Sequence, residues 1–368
     1  MMAKHTNCAA IALLSLAVGA ASAADIRAYG VVDMYAAVNN DSGNVTSALQ
    51  SGGASASLVG LTGEELLGDD LKAVFKLEAG ILMDDGTSAP PGGGASYLFQ
   101  RESRVGLESK RFGAVSFGRQ YSPYFMTYLL TDPGAMSMGS AIGNFCWPGT
   151  ASLLGGPNGP SDNSRRDNSV AWTSPTFGGY SVEVFGAFGE VKGETSTSST
   201  LGNAYSVAAQ YRSDTLMLRT AVFTEETSSV QNRRKNDWYW VAGGVADLGF
   251  TAPSLLLVKR FSRDTAESPD LFAAQLGATT PVGPGKLLAS AAYLKNSSAS
   301  DEDAFSLGLR YDHPLGRRTK VYAGAALVVN ESRADYAVIP GPGSSAPFDV
   351  EAAGNDAQQI FFGMNHSF

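Results

Sequence analysis

The sequence predicts an all-β fold, a transmembrane antiparallel β-barrel of about 16 strands, and three observations predict it. Apolar and polar residues alternate in run after run along the 368 residues. Short turn signals and long polar stretches take turns between those runs. The first 23 residues carry the marks of export.

Lys4 and His5 make a short basic start, Cys8 to Val18 an apolar core, and Ala21-Ser22-Ala23 a small-residue cleavage site. The expected division is a signal peptide over 1–23 and one barrel domain over 24–368. The apolar core is too short for a spanning helix, and no later stretch approaches the roughly 18 consecutive apolar residues such a helix needs. Any crossing of a membrane therefore falls to strands.

Removing the export segment takes away one lysine and no acid, moving the formal charge from -8 to -9. That excludes a basic nucleic-acid surface. Gly reaches 42 residues, and mean hydropathy is only -0.05 although 44% of residues are hydrophobic, so apolar side chains are spread thinly rather than pooled. Cys146 is the single cysteine of the mature chain, which rules out an intramolecular disulfide and leaves a small buried filler, an intermolecular pair or a reactive thiol.

Two-residue periodicity marks a strand whose faces meet different surroundings. In Leu71-Lys72-Ala73-Val74-Phe75-Lys76-Leu77-Glu78 the odd positions are all apolar and three of the four even ones are charged. The same alternation runs through Tyr205 to Arg212, Phe305 to Tyr311 and Val321 to Val329. Helical spacing is nowhere sustained. Turn signals such as Gly68-Asp69-Asp70, Lys110 to Gly113, Thr176 to Gly179 and His313 to Gly316 alternate with polar stretches at 84–96, 190–202, 225–237, 295–303 and 334–357. Short turns at one end and long loops at the other describe a membrane barrel, and about 345 mature residues suit about 16 strands. A soluble sandwich or propeller would also alternate. The final residues help to decide against them, because Ile360, Phe362, Met364, His366 and Phe368 share one face and close on an aromatic.

Six segments in order resemble the general porins of beta-proteobacteria, the trimeric 16-stranded family that includes the neisserial porins. They are Ile26 to Asp33, Val59 to Glu78, Arg104 to Gln120, Asp167 to Pro175, Tyr311 to Thr319 with Tyr322, and Gly363 to Phe368. The resemblance implies an outer-membrane, water-filled channel for passive diffusion of small hydrophilic solutes and ions, a homotrimer in lipid, and one loop folded inward to constrict the pore. The chain departs from the family where Leu58, Thr62 and Asn365 stand at positions that are often basic.

A pore carries no chemistry, so its candidate residues are lining charges and the constriction loop. Tyr121 to Ser164 occupies the family's constriction position and holds only Asp132 and Asp162 as charges before the closing arginines. Its apolar residues, including Met136, Met138, Phe145 and Trp147, point to packing on the wall, with Asp132 the expected functional position. Parity places Lys72, Lys76, Arg104, Arg165 and Arg212 on polar strand faces. The resemblance adds Arg101, Arg119 and Arg166, of which Arg101 and Arg119 need a bulge or strand end to turn inward. A basic ladder opposite a nearly neutral loop predicts weak anion preference.

Rival readings are a substrate-specific channel, a plugged structural barrel and an outer-membrane barrel enzyme. The last needs a nucleophile and a base, yet only His313 and His366 remain after export, with no G-x-S-x-G elbow and no H-E-x-x-H helix. No His/Cys set has metal-ligand spacing, and Gly341-Pro342-Gly343 follows no strand and opens no helix, so no cofactor is expected. Trp172, Trp238 and Trp240 suit the interfacial girdles of a barrel. Arg317 and Arg318 belong to a short turn.

Overall fold

A computed structural model describes residues 25–89, 98–146, 152–154, 163–189, 202–228, 235–261, 269–342 and 352–368. The export segment, Trp147, Asp162 and the Pro90 to Gly94 cluster lie outside the described residues.

The strands are β1 (Asp25–Asp41), β2 (Asn44–Ser51), β3 (Leu58–Leu66), β4 (Leu71–Gly80), β5 (Glu102–Ser109), β6 (Gly113–Tyr121), β7 (Arg165–Thr173), β8 (Tyr180–Ala187) and β9 (Ala204–Arg212). They continue as β10 (Leu216–Ser228), β11 (Lys235–Ala246), β12 (Ala252–Phe261), β13 (Leu271–Val282), β14 (Gly285–Asn296), β15 (Ala304–Pro314), β16 (Thr319–Asn330) and β17 (Ala357–Ser367). All neighbours pair antiparallel, and β17 returns to β1 with Val31 opposite Ser367 and Asp41 opposite Ala357. Closure leaves no strand edge to be satisfied in lipid, which is the condition for strands to cross a membrane.

β2 and β3 both pair with β1, one along its upper half and one along its lower half, so they are a single broken stave and the barrel has 16. The break at 52–57 is built around Asp33. Its carboxylate accepts the N–H groups of Gly53 (2.8 Å), Ala54 (3.2 Å) and Ser55 (3.1 Å), the Tyr322 hydroxyl (2.5 Å) and the Asn365 amide (2.7 Å). A buried carboxylate is tolerable only when so fully bonded. Asn365, one of the departures from the family pattern, is thus a partner of this knot.

Alternation puts Ile26, Val105, Phe117, Val184, Leu276, Ile360 and Phe362 on the outside, where their exposure is contact with lipid. No helix among the described residues is long and apolar enough to cross a membrane. Trp238 and Trp240 stand on this outer face at the loop end. Trp172 stands at the turn end, its indole donating to the Phe112 carbonyl at 3.0 Å.

Two findings differ from the sequence reading. The stretch after β6 contains a helix, α1 (Pro123–Thr131), which is too short for a sustained period but starts on a recognisable Ser-Pro signal. The Ser122 hydroxyl accepts the Phe125 N–H at 3.2 Å and Pro123 opens the first turn. And the polar loop expected over 334–357 is not wholly external, since Ala334 and Tyr336 to Ile339 are buried inside the barrel.

Candidate functional site

The loop between β6 and β7 enters the lumen and lies along one side of it. α1 rests against β8 to β12, and a short 3-10 turn, Ile142–Phe145, against β13 and β14. Tyr124, Phe125, Tyr128, Met136, Ile142 and Phe145 are buried against Val241, Leu256, Val258, Leu271 and Ala273 of the wall. Backbones approach so closely that a Cβ on Gly277 would lie 2.5 Å from Pro133 Cγ, and one on Gly243 2.6 Å from Thr131 Oγ1. Cys146 is buried in this interface, the place for a small filler.

Polar clamps fix the loop. Gln275 accepts the Ile142 N–H at 2.8 Å and donates to Asp132 at 2.9 Å, while Ser290 accepts the Ala141 N–H at 3.0 Å. Three wall arginines donate to loop carbonyls: Arg219 to Pro123 (3.3 Å), Arg260 to Ser152 (2.9 Å) and Arg310 to Met138 (2.9 Å). Each is paired in turn, with Glu183 (2.7 Å), Asp237 (3.3 Å) and Asp312 (2.8 Å) respectively.

Asp132, the position expected from the sequence to act on solutes, lies in this docking interface between loop and wall. It is buried at the end of α1, accepting from the Met136 N–H (2.7 Å) and Gln275, and burial pushes its carboxyl up. The carboxylate turns inward to accept from a backbone N–H of the turn that follows α1 and from the amide of the wall strand β13.

The opposite wall holds Lys72 and Lys76 of β4, Arg104 of β5 and Arg101 just before β5 together, facing the lumen. They are interleaved with carboxylates that the same parity places there. Lys72 meets Glu64 (3.0 Å) and Glu108 (2.9 Å), Lys76 meets Glu78 (3.2 Å) and Glu102, Arg101 meets Glu78 (2.7 Å), and Arg104 meets Glu102 (3.2 Å). The ladder is one of ion pairs rather than of cations alone. The pairs are layered, because Lys76 and Arg104 keep 27% and 30% of their side chains exposed while Glu78 and Glu102 keep 6% and 7%. Cations face the water and acids lie beneath. Lys320 over Asp312 repeats the layering on β16 (2.7 Å).

Of the residues needing a bulge, Arg101 reaches the lumen from the strand end just before β5. Arg119 does not: it opposes Ser103 on the outer face shared with Phe117 and pairs with Asp167 (2.8 Å). A bulge is present, but β7 carries it, with Gly118 opposite Ser169 and Gln120 opposite Arg166. The extra residue, with Asn168 at φ 49°, reverses parity beyond Ser169. Arg166 thereby takes the lumen position that simple alternation gives to Arg165, and it is buried against Glu225 (2.6 Å) and Asn163 (2.6 Å). Arg165 instead lies over the Tyr121 ring at 4.1 Å, and its guanidinium and that of Arg101 (3.1 Å) both donate to the Tyr121 hydroxyl. Arg212 is exposed near the short-turn end of β9, away from the cluster.

Parity alone does not single out Arg219, Arg260 and Arg310 as loop holders, although Arg310 lies in the clearly alternating Phe305 to Tyr311 run. Their role needs the loop's position. The acids Glu64, Glu78, Glu102 and Glu108 were within reach of the pattern, being even-numbered neighbours of the cations.

The family model described as Gram-negative porin matches residues 9–333. Outer membrane porin protein 32 of Delftia acidovorans is 31% identical over 330 residues, covering 87% of this chain and 89% of that protein. An outer membrane porin protein of Bordetella pertussis is 28% identical over 196 residues, 49% of this chain and 47% of its own. Among solved structures, an anion-selective porin from Comamonas acidovorans superposes with a TM-score of 0.79 at 26% identity, over 94% of this chain and all of that one (100%). A trimer form of OmpT of Vibrio cholerae, at 16% identity and TM-score 0.63 over 94% of this chain and 100% of its own, shares the fold. A closed 16-stave barrel, an inward loop clamped to one wall and charges along the other are the parts of an outer-membrane pore, and the chain belongs to the Gram-negative porin family.

Proposed function

We propose that this channel passes small hydrophilic solutes with a weak preference for anions. The observation that carries the reading is the layering of Lys76, Arg104 and Lys320 over buried carboxylates, opposite a loop whose described acid, Asp132, is buried. A unit charge about 5 Å from a passing ion contributes about 0.8 kcal/mol in water, and the opposite charge a few ångströms deeper cancels part of it. A remainder of about 0.4 kcal/mol per site is roughly a twofold bias, so the preference is weak and is screened beyond about 10 Å at 0.1 M salt. The Comamonas acidovorans relative is described as anion-selective, which supports the same sign.

The assay is the zero-current potential of the inserted protein in a KCl gradient. Anion preference is expected, and Lys76→Gln with Arg104→Gln should move the potential toward cations by baring Glu102 and leaving Glu78 to Arg101 alone. Cation preference in the unaltered protein would overturn the reading.

The reading extends to a homotrimer in outer-membrane lipid, to a mature chain beginning near Ala24, and to passive transport without catalysis or cofactor. Family resemblance supports the trimer, testable as a heat-modifiable band larger than a monomer. N-terminal sequencing of the exported protein tests the cleavage site.

A further inference from the structure

The wall opposite the constriction loop carries its lumen charges in bands. Strand register places the acids Glu78 and Glu102 in one row across β4 and β5, and the cations Arg27, Lys76 and Arg104 in the next row toward the short turns. Asp25 and Glu64 stand in the row after that, and Lys72 opposite Glu108 follows. Successive rows are two residues apart along each strand, about 6.8 Å. A solute moving along this wall meets acid, then cation, then acid.

The third row is incomplete. Val74 and Gly106 continue it beside Glu64 with no long side chain, and a cavity of about 230 Å³ opens there. Arg27 and Arg104 border it on one side, Glu64, Lys72 and Glu108 on the other, with Val74 between them. At about 30 Å³ per water, such a space holds several waters or one small organic solute. Its charges pair with one another: Lys72 meets Glu64 at 3.0 Å and Glu108 at 2.9 Å, and Arg27 meets Asp25. Their side chains keep 30% to 70% of their surface exposed, so a solute reaches them, and pairs this exposed are weak enough to exchange partners.

A simple anion drawn to Arg27 and Arg104 is repelled by the acids one band away, and a simple cation drawn to the acids is repelled by the arginines. A molecule with both charges on a short chain satisfies both bands at once. We propose that this hollow is a binding subsite for small zwitterions of the amino-acid type. The carboxylate faces Arg27 and Arg104, the ammonium faces Glu64 and Glu108, and the carbon side chain rests on Val74. The inference rests on the channel reading and deepens it, because a weak preference for anions does not distinguish among solutes of zero net charge, whereas a banded wall does. Binding to exposed groups is shallow, as passage requires: favourable enough to draw the solute in and weak enough to release it.

The test measures swelling of proteoliposomes in L-alanine and in lactamide, its uncharged isomer, so that formula and size are matched. In the unaltered protein alanine is expected to enter at least about twofold faster than lactamide. Glu64→Gln with Glu108→Gln removes the ammonium's partners, and Val74→Phe fills the hollow while leaving every charge in place. Each should bring the ratio to about one, with lactamide entry retained as the sign of a folded, open barrel, and Val74→Phe should leave the zero-current potential unchanged. Equal entry of the two isomers into vesicles of the unaltered protein would overturn the proposal, and so would an undiminished ratio in either folded variant. An unaltered protein that admits neither isomer and does not conduct would instead overturn the channel reading.

Discussion

Gly277 offers the sharpest perturbation of the docked loop. Its Cα faces Pro133, and a Cβ there would sit 2.5 Å from Pro133 Cγ, 2.9 Å from Cδ and 3.0 Å from Ser254 Oγ. Ordinary contact begins near 3.4 Å, so Gly277→Ala demands a retreat of about 0.9 Å by a rigid ring. Overpacking of this kind costs about 1–3 kcal/mol. Pro133 adjoins Asp132, whose bond to Gln275 lies on the same strand, so the retreat also strains a clamp worth about 1 kcal/mol. A loss of about 2 kcal/mol in docking raises the undocked fraction roughly 30-fold. Single-channel recordings should show more frequent closures or a noisier open level, and the loop should be cut faster by protease. Pro133→Ala, which removes Cγ and Cδ, should restore both in the double variant. Gly316→Ala, in a turn with nothing within 4 Å, is the control. If Gly277→Ala matches that control, or if Pro133→Ala gives no rescue, the close-packed docking described above is wrong.

Arg310→Met should destabilise the barrel by about 3 kcal/mol, the low end for breaking a buried pair because Lys320 still faces Asp312, and should free the Met138 carbonyl; thermal melting with conductance checks both. Removing Phe368 deletes the seam bonds Gly30 N–H to Phe368 (3.2 Å) and Phe368 N–H to Gly30 (3.0 Å), for a loss of roughly 2 kcal/mol read from the temperature at which the folded gel band disappears. In the turn after β3, the Ser109 hydroxyl (2.6 Å) and then the Lys110 N–H (2.9 Å) hold the Asp70 carboxyl below its ordinary range. A depressed carboxyl contributes stability above the unfolded value near 3.9 that is lost as pH falls through the lower folded value. The melting gap between the unaltered protein and Asp70→Asn should therefore be full at neutral pH and close only in acid; a gap independent of pH would contradict the assignment.

The barrel was legible because its cause is local. Lipid on one side and water on the other impose a period of two on every stave, and Leu71 to Glu78 displays it without reference to any other part of the chain. Lys72, Lys76 and Arg104 were legible for the same reason, as were the acids beside them. Parity fails where the backbone gains a residue. The bulge at Asp167 and Asn168 exchanges the faces of Arg165 and Arg166, and nothing in Arg165-Arg166-Asp167-Asn168 announces which strand will carry it. Position across the lumen is equally invisible. Whether Asp132 meets water or Gln275, 143 residues later, and whether Tyr336 to Ile339 lie outside or against Asn144, depends on which wall the loops fill once the barrel has closed. The alternation of single side chains determined the fold; the packing of two loops into one cylinder decided the pore, because long-range burial selects among positions that local pattern leaves equivalent.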